Sequence, residues 1–187
     1  SSPSDGETHA IGVGATGLWA GEDGKLAVFA NGGWVFVTPQ AGWQAWFAGG
    51  RVQFDGVAWI AGTGAVSASG AGLIHRTIEV DHAIASGASS AVTAFVPANT
   101  VVYGVTGRVL SDLGGATSFQ LGVSASIDRY GSGINTSTGA WLRGLTGSPL
   151  TYYSDTDLVL TAEGGSFDGS GTVRLALHVA ELTLPRP

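Results

Sequence analysis

The chain contains no cysteine, no methionine and a single lysine, Lys25. Without cysteine, disulfide frameworks, zinc knuckles, thiol nucleophiles and Cys-ligated clusters are excluded. The missing methionine and the opening Ser1-Ser2-Pro3-Ser4 read as a processed or trimmed start, and the chain as a fragment of something longer. Charge is also scarce: 12% of residues are ionised, about half the usual share, with a net charge of -6. No basic stripe exists, which excludes a nucleic-acid partner and disfavours an anionic membrane surface. Long hydrophobic runs are absent too. Val57 to Ile74 carries no charge, but its glycines, serines and threonine make it a small-residue connector, and no membrane insertion is expected. The N-terminus lacks the basic-then-apolar order of a secretory signal.

Glycine is what the chain has in excess, with 31 in 187 residues against a usual share near 7%. Tryptophan is concentrated: Trp19, Trp34, Trp43, Trp46 and Trp59 precede residue 60, and only Trp141 follows. A short echo lies in that first part. Phe29-Ala30-Asn31-Gly32-Gly33-Trp34 resembles Phe54-Asp55-Gly56-Val57-Ala58-Trp59, with Phe and Trp five apart in each. Asn-Gly and Asp-Gly between apolar runs are strong hairpin signals, because both residues tolerate positive φ. The spacing predicts Leu26–Ala30 turning into Trp34–Thr38, and Arg51–Phe54 turning into Val57–Ile60, around one shared Trp/Phe cluster. A helical turn is expected only at Thr38-Pro39.

From Leu73 the pattern becomes longer and alternates with period two. Ile74, Ile78 and Val80 oppose His75, Thr77, Glu79 and Asp81. Val101, Tyr103, Val105 and Val109 oppose Gly104, Thr106 and Arg108. Val173, Leu175, Leu177 and Val179 oppose Arg174, Ala176 and His178, and a slip near Ala180 points to a bulge or a strand changing sheets. Phe119, Leu121 and Val123, then Leu158 and Leu160, supply further strands. The expected fold is all-β: a small Trp-rich β-hairpin module over 1–62, a Gly/Ala/Ser connector over 63–72, and an antiparallel jelly-roll-like β-sandwich over 73–187.

Several motifs invite chemistry and give little. Gly12-Val13-Gly14-Ala15-Thr16-Gly17 fits the dinucleotide fingerprint, yet no strand-then-helix context surrounds it. No Gly-x-Ser-x-Gly elbow occurs. His75 and His82 fall on opposite strand faces, and no His-x-His pair exists, so no metal site is expected. Asp155 and Asp157 read as turn or strand-end residues rather than a calcium loop or a glycosidase pair. The stretch 124–154 is the least regular and reads as a polar loop that keeps aromatics. Trp141, Tyr130 and Tyr152 with Asn135, Arg143 and Asp128 form a candidate carbohydrate-binding set, because sugar C–H faces stack on aromatic rings while polar groups bind hydroxyls. Trp141 and Tyr130 are expected to be exposed, and Tyr152 or Tyr153 to begin a core strand. No catalytic residue and no cofactor is assigned.

The order Gly33-Trp34-Val35-Phe36-Val37-Thr38-Pro39, Gly42-Trp43-Gln44-Ala45-Trp46 and Phe54-Asp55-Gly56-x-Ala58-Trp59 resembles uncharacterised domains of alphaproteobacterial phages and gene transfer agents. There the pattern is W-x-F-V-T-P-x-x-G-W-x-x-W followed by F-D-G-x-x-W, and the match covers about residues 8–61. Phe95-Val96-Pro97, Val101-Val102-Tyr103-Gly104-Val105, Tyr153-Ser154-Asp155-Thr156 and Phe167-x-Gly169-x-Gly171-x-Val173-Arg174-Leu175 resemble a C-terminal receptor-binding domain appended to such proteins. The resemblance implies a tail fibre or head spike on the particle surface, extracellular after release. It implies host adhesion through capsular or other polysaccharide, contact with other virion proteins, and a homo-trimer. It brings no catalytic residue, so the expectation is a binding protein and not an enzyme. The rivals are a capsule-depolymerising glycoside hydrolase of the same particle and a purely structural fibre connector.

Overall fold

The structure, a computed structural model, describes residues 2–47, 50–61 and 65–187. The start at Ser1, the boundary expected at 62/63 and the first residues of the expected connector, Thr63 and Gly64, lie outside the described residues. Contacts divide the chain into two compact units, Ser1–Gly72 with Leu184–Pro187, and Leu73–Thr183.

In the first unit, β1 (Thr8–Ala10), β2 (Leu26–Ala30) and β3 (Gly33–Val37) form one antiparallel sheet, and β4 (Gln44–Phe47), β5 (Gly50–Phe54) and β6 (Trp59–Ala61) another. A two-residue strand, β7, follows at Ala65–Val66. The first expected hairpin is present with its second strand starting one residue early. Asn31 and Gly32 take φ of 52° and 79°, as a type I′ turn requires. In the second, the Asp55 carboxylate accepts the amides of Val57 and Ala58 at 2.9 and 2.8 Å, so a side chain closes the turn. The five-residue Phe-to-Trp spacing is explained by pairing: Phe29 lies directly opposite Trp34, and Phe54 opposite Trp59. Cross-strand partners on one face meet regardless of what lies elsewhere. The rings therefore form two groups among the described residues rather than one shared cluster. His9, Trp19, Phe29 and Trp34 make one, and Phe54 with Trp59 the other. The helical turn is a 3₁₀ turn at Gly17–Trp19, not at Thr38-Pro39.

The second unit is a β-sandwich. Its strands are β8 (Gly72–Ala83), β9 (Ser89–Val96), β10 (Thr100–Ser111), β11 (Ser118–Val123), β12 (Ser126–Asn135), β13 (Trp141–Tyr152), β14 (Thr156–Glu163) and β15 (Thr172–Thr183). One sheet runs β13-β10-β15-β8 and the other β12-β11-β14-β9. Every connection except β11–β12 passes from one sheet to the other, which is the double Greek key of a jelly roll. Phe119, Leu121, Leu158 and Leu160 of one sheet face Val102, Val105, Val109, Val173, Leu175 and Leu177 of the other, all sealed from solvent.

Three local expectations are corrected. The core side of β10 carries Val102 and then Val105, with Tyr103 half-exposed, because the register slips between Val102 and Gly104 against both neighbours. The slip expected near Ala180 is absent, since Leu182 and Leu184 are exposed and β15 keeps its phase; the bulge lies on β10, where Val102 pairs Val179 and Gly104 pairs His178 and Tyr103 is the extra residue. The stretch 124–154, expected as a loop, is mostly β12 and β13. Its alternation is hidden because Gly144 occupies an inward position beside Leu142 and has no side chain to mark it. A Cβ at Gly144 would overlap the Tyr130 backbone, and one at Gly104 would overlap the Gly144 carbonyl. Close approach of β10, β12 and β13 requires glycine at both.

Candidate functional site

The turn that carries Trp141 is tied to the end of β10. The Val109 amide donates to the Ala140 carbonyl at 2.8 Å, the Gly139 amide to the Val109 carbonyl at 2.9 Å, and the Leu113 amide to the Thr136 carbonyl at 2.9 Å. Asp112 accepts both the amide and the hydroxyl of Thr138, each at 2.6 Å. The Thr138 hydroxyl and then its amide hold the Asp112 carboxyl below its ordinary value of 3.8. Asn135 accepts the Ser137 amide at 2.7 Å. This network fixes where β13 begins, and Trp141 is its first residue.

Alternation then points Trp141 and Arg143 outward while Leu142 enters the core. Arg108 of β10 lies opposite both Trp141 of β13 and Arg174 of β15, and Thr106 lies opposite both Arg143 and Ala176. Together with Glu79 of β8 these residues line an open depression of about 440 Å³ on the outer face of the sheet. A second depression of about 440 Å³ is bounded by Asn135, Ser137, Thr138, Gly139, Ala140 and Trp141. Trp141, 65% exposed, is shared by the two. Arg174 donates to both oxygens of Asp81 at 2.6 and 2.7 Å and stands 3.7 Å from Glu79. That pairing lowers the Asp81 carboxyl and raises the Arg174 guanidinium. Beyond it, His178 bridges the Thr106 hydroxyl at 2.9 Å and the Thr77 hydroxyl at 3.3 Å.

Of the six residues singled out in the sequence, the fold brings together Trp141, Arg143 and Asn135. The other three lie elsewhere. Tyr130, expected to be exposed, is only 3% exposed. Its backbone and Cβ occupy the space that Gly144 leaves, and its hydroxyl lies 2.9 Å from that of Tyr152. Burial, then the Tyr152 hydroxyl, pushes the Tyr130 phenol well above the ordinary tyrosine range. Tyr152 packs on the core at the opposite end of β13 from Trp141 and accepts from Arg129 at 3.0 Å. It ends a strand rather than beginning one, and Tyr153 is exposed. Asp128 is met by the Ser126 hydroxyl at 3.4 Å. Arg108, Arg174 and Glu79 carry no signal of their own in the sequence beyond alternation, which places all three on the polar side of their strands. Nothing in the sequence gives the register that aligns them with Trp141.

The remaining candidates have local occupations. The Asp155 and Asp157 carboxylates accept the amides of Ala98 and Ala94, each at 2.8 Å. The glycine-rich run before Trp19 gives its Gly14 and Ala15 amides to Asp23 at 2.8 and 3.0 Å, and only a three-residue 3₁₀ turn follows. His82 meets the Ser90 hydroxyl at 2.7 Å, and burial lowers its pKa. Among the described residues, no group of three or more His, Asp or Glu side chains is arranged to hold a metal ion. No helix among them is long and apolar enough to cross a membrane.

Residues 1–65 match a family described as "Protein of unknown function (DUF2793)". That span contains the tryptophan motif over 8–61. No curated protein sequence matches the chain. Among solved structures, a chain of the cyanophage Pam1 capsid asymmetric unit is similar at 24% identity and a TM-score of 0.42, covering 66% of this chain and 94% of that one. A similarity of that size carries no argument about what this chain does.

Proposed function

We propose that the chain is a component of a phage or gene-transfer-agent particle, displayed as a fibre or spike, that attaches to the bacterial surface by binding capsular or other polysaccharide at the Trp141 face. The observation that carries the reading is Trp141 itself. A large ring held 65% exposed at the rim of two open depressions offers a flat apolar face on which the C–H face of a sugar can stack. Its turn is anchored by Asp112, so the ring is presented in place rather than ordered on contact. Arg143, Asn135, Arg108 and Arg174 surround it with polar groups suited to a sugar. The tryptophan motif over 8–61 supports the particle setting through its resemblance to phage and gene-transfer-agent domains. Open, shallow sites of this kind bind weakly one at a time, and a trimer would raise their avidity.

A depolymerase would need two carboxyl groups spaced across the bound sugar. Among the described residues Glu79 is the one carboxylate lining the Trp141 depression, and it leans toward Arg174. The reading is therefore of binding without cleavage.

The test is a panel of purified bacterial capsular polysaccharides, scored for binding and for new reducing ends. Binding by the wild-type chain, at least about tenfold weaker in Trp141→Ala, with no reducing ends released, is the expected result. No binding across the panel favours the structural connector, and chain shortening favours the hydrolase.

A further inference from the structure

We infer that the ligand of the Trp141 face is an acidic polysaccharide, one whose sugars carry carboxylate, sulfate or phosphate groups; this rests on reading that face as the glycan site. Three of the seven arginines of an otherwise acidic chain line one depression. Two of them, Arg108 and Arg174, are direct cross-strand partners. Like charges placed so oppose each other and weaken the sheet, so this is not an arrangement that folding requires.

The three arginines also differ in how they are compensated. Arg174 is paired through Nε and one terminal nitrogen to the two oxygens of Asp81. Arg108 gives one hydrogen bond to the Gly139 carbonyl at 3.3 Å, a neutral acceptor. Arg143 has neither an ion pair nor a side-chain hydrogen bond among the described residues. Among the described residues two guanidinium groups therefore stand outside any ion pair beside an exposed tryptophan, and Glu79, the carboxylate of the same depression, lies 3.7 Å from the third, Arg174.

Donor and acceptor chemistry sharpens the point. A guanidinium has five N–H donors and no acceptor. A neutral sugar hydroxyl can accept from these groups, but its own O–H finds no acceptor on a guanidinium and no charge is matched. An anionic group only accepts, and the planar fork of arginine fits the two oxygens of a carboxylate or the oxygens of a sulfate or phosphate. With the sugar ring against Trp141, an acidic substituent can reach Arg143 on the same strand or Arg108 on the next.

The experiment uses the full chain on a microbial glycan array holding neutral, uronate-bearing, sulfated and phosphorylated glycans, read at low and at high sodium chloride. Binding concentrated on acidic glycans, weakened by salt, and reduced at least about tenfold by Arg143→Ala or Arg108→Ala, is expected. Arg143→Lys keeps the charge without the fork, and should restore binding only in part. The uronate and the sulfate or phosphate arms identify which anion is read. Equal, salt-insensitive binding to neutral glycans that Trp141→Ala abolishes would overturn the acidic inference and leave the polysaccharide-binding reading standing. Binding to no glycan would overturn both. The salt series on the wild-type chain needs no variant, so the outcome does not depend on any substituted chain folding.

Discussion

Tyr130 and Trp141 lie eleven residues apart in one Gly-, Ser- and Thr-rich stretch, and the fold treats them oppositely. Tyr130 is buried with its hydroxyl against Tyr152. Trp141 is exposed, on a turn pinned by Asp112. The difference comes from neighbours rather than from the residues themselves. Gly144 gives Tyr130 a place to enter, since a side chain there would collide with the tyrosine backbone. Trp141 sits at the outward phase of β13, with Arg108 rather than an apolar residue across from it. An aromatic ring in a polar stretch becomes core or exposed surface according to what the adjacent strand leaves open.

The contrast can be broken from either side. Tyr130→Ala is expected to have the largest effect on folding, about 3–5 kcal/mol by urea unfolding, because a buried ring is removed and a cavity remains. Gly144→Ala should cost about 1–3 kcal/mol, since the methyl meets backbone atoms that cannot step aside. Acid should act through Asp112. Its carboxyl titrates below 3.8 when folded, so the stabilisation is complete above about pH 5 and is lost as pH falls through 3.8 and then the lower folded value. In Asp112→Asn, the unfolding midpoint should fall less steeply below pH 4 than in the wild type, and the Trp141 indole resonance should shift. Trp141→Ala should be the mildest for stability, within about 0.5 kcal/mol.

How far these fates were legible in the sequence follows from the range of the forces involved. The Asn31-Gly32 and Asp55-Gly56 turns were visible because their chemistry is local to four residues. The jelly-roll character was visible in the alternation of β8, β11, β14 and β15, each of which has one side against the core. β10 departed from its pattern at Tyr103, since a bulge answers to pairing on both sides and not to the strand's own residues. β13 escapes the pattern because Gly144, a glycine in a core position, looks like a turn, and β12 because its register shifts twice against β11. Trp141, Arg143 and Asn135 could be chosen by residue type alone. Arg108 and Arg174 needed the register of strands more than 30 residues apart in sequence, and Tyr130 needed knowledge of what Gly144 faces.

The most direct measurement is the affinity of a capsular polysaccharide bound by the wild-type chain, redetermined by calorimetry for Trp141→Ala, with thermal unfolding of both proteins under the same conditions. At least about a tenfold loss of affinity with an unchanged melting temperature is predicted. Undiminished binding by Trp141→Ala would contradict the assignment of this face as the contact with the bacterial surface.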